Sequence, residues 1–185
     1  MVTIVELINK LRNPENRIAL QAVEELRARG WLSDGSLRGI ALCQVQLQGA
    51  DLMKADFANV DFHQAHLEWS DLSMADLRGT KLTRVTLYGS NLSQTKFARA
   101  DLYKANLRDA RNLTEGQLSQ FKRLWGAIMP DGLPYDGRYN LPGDLDLARW
   151  SKVDIEDPEK MAEFYGVSLD TYTSGQKHEV AASPA

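Results

Sequence analysis

From Leu37 to Leu107 a leucine or phenylalanine occupies every fifth position without a miss, and this beat constrains the fold more than any other feature of the chain. The series includes Leu42, Leu47, Leu52, Phe57, Phe62, Leu67, Leu72, Leu77, Leu82, Leu87, Leu92, Phe97 and Leu102. A second beat of smaller residues precedes it by two positions: Gly35, Ile40, Val45, Ala50, Ala55, Val60, Ala65, Ser70, Ala75, Thr80, Val85, Ser90, Thr95, Ala100 and Ala105.

A helix turns about 100° per residue, so a five-residue step would spread these leucines around its whole circumference. A strand alternates sides with period two, so every second leucine would face water. The pattern makes physical sense when the backbone turns by about 90° every five residues and four pentapeptides close one coil. Every beat then points to a common axis, and the small residue two positions earlier fits a narrow interior.

Several of these units read Ala-Asp-Leu or Ala-Asp-Phe: Ala50-Asp51-Leu52, Ala55-Asp56-Phe57, Ala75-Asp76-Leu77 and Ala100-Asp101-Leu102. They resemble the A(D/N)LXX consensus of pentapeptide repeat proteins, over roughly Gly35 to Ala110, and the composition and ends resemble uncharacterised cyanobacterial members. The resemblance implies an all-β solenoid, a right-handed quadrilateral β-helix of about four coils. Periodicity alone does not give the handedness. At about 4.8 Å per coil, fifteen repeats make a rod about 18 Å long.

The expected organisation is an N-terminal helical hairpin over 1–34, the β-helix over 35–112, a C-terminal helix and loop cap over 113–173 and a disordered tail over 174–185. A stacked solenoid exposes strand edges and apolar side chains at both ends, so covers are expected there. At the front, Thr3 and Glu6 form a capping-box pattern ahead of the stripe Ile4, Leu7, Ile8 and Leu11. Asn13-Pro14 then suits the cap and first position of a second helix buried along Ile18, Ala19, Ala22, Val23 and Leu26, with Gly30 at its end and Trp31 and Leu32 packing it down.

At the back, Thr114 and Gln117 repeat the capping-box pattern, and Leu118, Phe121, Leu124 and Trp125 predict a helix with one apolar side lying across the last coil. Asp131-Gly132 and Asp136-Gly137 punctuate a turn-rich stretch whose carboxylates lack EF-hand spacing. Asp157-Pro158 opens a last short helix carrying Met161, Phe164 and Tyr165 and closing at Gly166.

The chain has 185 residues, 43% of them hydrophobic, and a net charge of only -3, which predicts neither a general grip on nucleic acid nor an acidic polymer. Its single cysteine, Cys43, cannot form an internal disulfide, the N-terminus reads as a helix rather than a leader, and no apolar stretch approaches the roughly 20 residues needed to span a bilayer. A cytoplasmic protein with no membrane association is expected.

Catalytic chemistry finds little support. His63 and His66 both sit at outward positions on different sides of the square, so a shared metal is not expected. Cys43 lacks a neighbouring base and reads as a structural thiol. There is no phosphate-binding glycine loop, nucleophile elbow or paired-cysteine motif. No catalytic residue, cofactor or metal is expected, and the chain reads as a non-enzyme.

Residues twenty apart should share a face, placing Asp51 over Asp71, Asp56 over Asp76, and Asp61, Lys81 and Asp101 in one column. Two exposed like charges at such spacing cost only about 1 kcal/mol, so the acidic columns need no cation. Acidic residues gather between Asp51 and Asp76, basic ones between Arg78 and Arg108. The resemblance brings a known function with it, since fluoroquinolone-resistance members of the family are thought to protect gyrase by imitating DNA with a long acidic rod. Here the rod is half as long and its second half is basic, which leaves a DNA-mimicking, gyrase-binding protein as the alternative.

Trp69 falls in the column Gly49, Trp69, Gly89, with His66, Glu68 and Tyr88 close by on the same face. An outward tryptophan beside a tyrosine marks an interface, though an indole lying flat on the glycines to shield the backbone explains Trp69 equally well. The expected function is a protein-interaction scaffold with His66, Glu68, Trp69 and Tyr88 as the candidate patch, an unknown protein partner, no direct nucleic-acid binding, and a monomeric or dimeric state.

Overall fold

The central part of the chain is a ladder of parallel β-bridges in which each residue pairs with one twenty positions away. Ala41 pairs with Asp61, Gln46 with His66, Asp51 with Asp71, Asp56 with Asp76, and the same register runs on to Asn91 with Arg111. The computed structural model describes residues 2–180. All fifteen leucines and phenylalanines of the beat are buried, as are the small residues two positions earlier from Val45 to Ala105. Each hydroxyl that enters this interior is satisfied: Ser70, Thr80 and Ser90 donate to the carbonyls of Leu67, Leu77 and Leu87, and Thr95 donates to that of Leu72.

Two local devices turn the chain at each unit. The residue just before each beat is often Asp or Asn, and its side chain accepts from the N–H two positions on, as Asp51 does from Met53, Asp56 from Ala58, Asp71 from Ser73, Asp101 from Tyr103 and Asn106 from Arg108. The aspartates of the repeat are therefore turn-makers. Two residues after each beat the backbone takes a positive φ, from Gly39 and Gln44 through to Lys104 and Asp109. The i to i+3 bond that closes each turn, such as Ala50 N–H to Leu47 O, makes these type II turns.

Among the described residues six helices flank the ladder: α1 (Ile4–Leu11), α2 (Asn16–Ala28), α3 (Glu115–Leu118), α4 (Pro142–Trp150), α5 (Pro158–Tyr165) and α6 (Leu169–Val180). The capping box of Thr3 and Glu6 opens α1, and Asp157 and Gly166 bound α5. α2 starts two residues later than expected: the Asn13 side chain accepts from Glu15 N–H in the preceding turn, and Glu15 stands at the helix cap.

The larger corrections lie at the back. The Thr114–Gln117 capping box forms, but α3 stops at Leu118 after one turn. Phe121, Leu124 and Trp125 do not continue it; the chain re-enters the ladder with a register of twenty-two, pairing Asp101 with Arg123 and Asn106 with Ile128. Two more units follow, with Leu124 and Met129 buried five apart and Ala127 two before Met129. Pairing thus passes the expected boundary at 112.

The turn-rich stretch is followed by α4, a helix not among those expected, and its Gly143 lies so close to the Lys122 carbonyl that a Cβ would sit 2.8 Å from it. The expected disordered tail from Ser174 is also corrected. Residues 174–180 belong to α6, where Gln176 bonds the Asn140 side chain and the Gly137 carbonyl, while 181–185 fall outside the described residues.

Candidate interaction surface

His66, Glu68 and Trp69 occupy one unit of the ladder, and Tyr88 stands on the unit directly above, with Trp69 N–H bonded to Tyr88 O at 2.8 Å. His66 Nδ1 lies 3.0 Å from Glu68 Oε1, and the indole of Trp69 meets the Tyr88 ring edge-on, centroids 4.9 Å apart at 90°. The four expected residues are therefore held as two contacting pairs joined through the backbone. The Tyr88 hydroxyl bonds the Asp109 carboxylate, which pushes its pKa above the usual value.

Trp69 is 59% exposed even though its ring rests on the protein, so most of the indole faces solvent. It leans one way only. A Cβ on Gly89 would lie 2.4 Å from the indole, whereas nothing comes within 4 Å of one on Gly49, so glycine is needed on one side of Trp69 and not on both. Trp69 also sits at a φ of 60°, the left-handed region in which a bulky residue is strained.

The charge columns have internal partners. Arg27 reaches Asp51, Arg38 grips Asp56, Arg78 grips Asp76, and Lys81 lies 3.3 Å from Asp61. The Asp61–Lys81–Asp101 column continues to Arg123, which takes Asp101 with two nitrogens, so its sign alternates over four residues. Arg78, with help from its own N–H, holds Asp76 below the ordinary carboxylate range. Among the described residues Arg84, Lys96, Arg99 and Lys122 have no such ion pair. Asp51, Asp56, Asp61 and Asp76 are thus paired with cations of the same chain, while Arg84, Lys96, Arg99 and Lys122 keep their charge unpaired.

Cys43 is exposed rather than structural, with its thiol 3.9 Å from the Asp61 carbonyl and its pKa raised by desolvation and the Asp61 charge. Among the described residues no group of three His, Cys, Asp or Glu side chains could hold a metal, and no helix is long and apolar enough to cross a membrane. One site that sequence reasoning missed is Asp144, fully buried in the first turn of α4, which accepts from the N–H groups of Leu124 and Trp125. Burial raises its pKa to about 7. Its only sequence signal is the Pro142 two residues before it, which suits the start of a helix.

The family model for pentapeptide repeats matches residues 36–73 and 75–111 in eight copies. This segment is a pentapeptide-repeat domain. Among solved structures, the pentapeptide repeat protein HetL of the cyanobacterium Nostoc sp. PCC 7120, described as involved in heterocyst differentiation regulation, is 37% identical over 50% of this chain and 42% of its own, with a TM-score of 0.47. Alr5209, a pentapeptide repeat protein from Nostoc PCC 7120, is 22% identical over 56% of this chain and 94% of its own, at 0.25. QnrB1, a plasmid-mediated fluoroquinolone resistance protein, is 15% identical over 43% of this chain and 41% of its own, at 0.40. The pentapeptide-repeat match thus spans less than half of HetL and of QnrB1. No curated protein matches the chain.

Proposed function

We propose that this pentapeptide-repeat protein is a non-enzymatic scaffold that binds another protein in the cytoplasm through the face carrying His66, Glu68, Trp69 and Tyr88. In this reading the twenty-residue ladder is a right-handed quadrilateral β-helix and the flanking helices are its caps. The observation that carries the proposal is Trp69, held in a strained backbone conformation and mostly exposed at right angles to Tyr88. Aromatic residues so placed dominate the energetics of protein interfaces. DNA mimicry gains no support from the surface, because Asp51, Asp56, Asp61 and Asp76 each face a cation of the same chain.

Replacing Trp69 by alanine keeps a Cβ at the positive φ, so it should leave the thermal melt almost unchanged and remove a partner captured from extracts of the native organism. If the variant and the wild type capture the same proteins in the same amounts, this face is not the binding surface. A gyrase supercoiling assay showing inhibition or drug protection would restore the mimic reading.

A further inference from the structure

The opposite charge pattern points to a second surface. Two units further along each turn from Trp69 lies an open groove whose floor is made of small residues, Ala58, Gly79 and Ala98. Its lining includes six cations, Arg38, Arg78, Arg99, Lys81, Lys122 and Arg123. The groove exists because one outward column reads Arg38, Ala58, Arg78, Ala98, alternating a long side chain with a methyl group. Ion pairing fixes three of its guanidinium groups in place. Arg38, Arg78 and Arg123 each offer Nε and Nη2 to a carboxylate of Asp56, Asp76 and Asp101 respectively. In each case Nη1, with two N–H groups, has no hydrogen bond within the described residues.

We propose that this groove docks an acidic, extended peptide segment of a partner protein. A planar guanidinium held from behind by one carboxylate has already given up its rotamer freedom and can receive a second carboxylate with little further ordering. Arg38 and Arg78 are two turns apart, about 10 Å at the strand spacing, which is the reach of three extended residues. Glutamates at every third position of a polyproline-II segment, which has three residues per turn and rises about 3.1 Å per residue, share one face and would meet them in turn. Arg99 and Lys122, exposed and without an ion pair, supply the net attraction. A nucleic-acid strand fits less well. Its charges are closely spaced, and Asp56, Asp61, Asp76 and Asp101 beside the groove leave a surplus of only these two cations.

The surface is independent of the Trp69 face although it rests on the same scaffold reading, so the test separates them. Fluorescence anisotropy with a labelled peptide carrying Glu at every third residue should show binding to the full chain that weakens with added salt. Arg99→Glu/Lys122→Glu should weaken that binding at least about tenfold with an unchanged melt, and Thr83→Glu, at the groove wall, should weaken it less. Trp69→Ala should leave it unaltered. Absence of binding, equal binding by the double variant, or tighter binding of a single-stranded oligonucleotide of the same length overturns the groove. Loss of peptide binding in Trp69→Ala also overturns it, while leaving the scaffold reading standing on the other face.

Discussion

The two ends of the ladder solve opposite hydrogen-bonding problems. Along the ladder the N–H groups at and just after each beat donate toward the next turn, as Leu42 N–H does to Asp61 O and Gln44 N–H to His63 O. Each unit also sends one N–H back, as Asp61 does to Ile40 O, so the first turn is left mainly with unpaired carbonyls and the last mainly with unpaired N–H groups. At the front, donors on α1 and α2 fill the gap: Arg12 reaches Ala41 O, Asn16 reaches Gln48 O, and Arg27 reaches Asp51 O and Met53 O. At the back, acceptors do: the Asp144 carboxylate takes Leu124 and Trp125 N–H, and Leu133 O takes Met129 N–H.

The difference teaches that a directional backbone dictates which side chains an end needs. A guanidinium is charged at every accessible pH and works at the protein surface. A carboxylate carried into the interior pays for its position with a raised pKa.

The comparison can be broken in order of severity. Leu87→Lys puts a charge into the apolar interior midway between the ends and should unfold both together, with a loss of more than about 4 kcal/mol, while the adjacent outward change Tyr88→Lys loses mainly one aromatic contact, about 1 kcal/mol. Similar melts for the two variants would show that inside and outside have been misassigned. Asp144→Leu leaves two N–H groups without an acceptor and should lower stability by about 2–4 kcal/mol, read by denaturant titration. Arg27→Met strips carbonyls nearer to water and should be milder, about 1–2 kcal/mol. A larger effect at Arg27 than at Asp144 would reverse the ranking of the two ends.

The smallest effect is a pH dependence confined to the back. Because the folded-state pKa of Asp144 is raised to about 7 from an ordinary 3.8, the folded protein binds a proton there that the unfolded chain does not, throughout that window. Stability from this site is complete below about pH 4 and falls as pH rises toward 7. Melts between pH 5 and 8 should therefore show a decline in wild type that is flatter in Asp144→Asn. Parallel slopes in the two proteins would remove Asp144 as its source.

The middle of the molecule was readable in the sequence because one physical rule repeats. Leu87 is buried for the same reason as Leu47, so fifteen units vote for one register. The ends were less readable because each feature occurs once. Leu124 and Met129 keep the five-residue spacing, yet the two-residue shift in register after α3 separates them from the beat, and the spacing of Leu118, Phe121, Leu124 and Trp125 equally suits a helix. Asp144 looks like any acid in a helical first turn until the last turn of the ladder is placed against it. At the Trp69 face the column of neighbours was legible, whereas the direction in which the indole leans depends on backbone geometry that Gly49 and Gly89 share. The role of the repeat aspartates as turn-makers was likewise hidden, because a charged residue on a surface invites a charge-based explanation.

That same uneven bonding has a consequence for assembly. A rod with acceptors in excess on one face and donors in excess on the other is complementary to a copy of itself, head to tail, and such contacts do not close. Removing residues 1–34 would bare the carbonyls of the first turn, and removing everything beyond 132 would bare the last N–H groups. Chains trimmed at both ends should form open filaments under sedimentation, whereas the full chain should not. Arg12, Asn16, Arg27 and Asp144 are, in this light, what gives the rod a finite length.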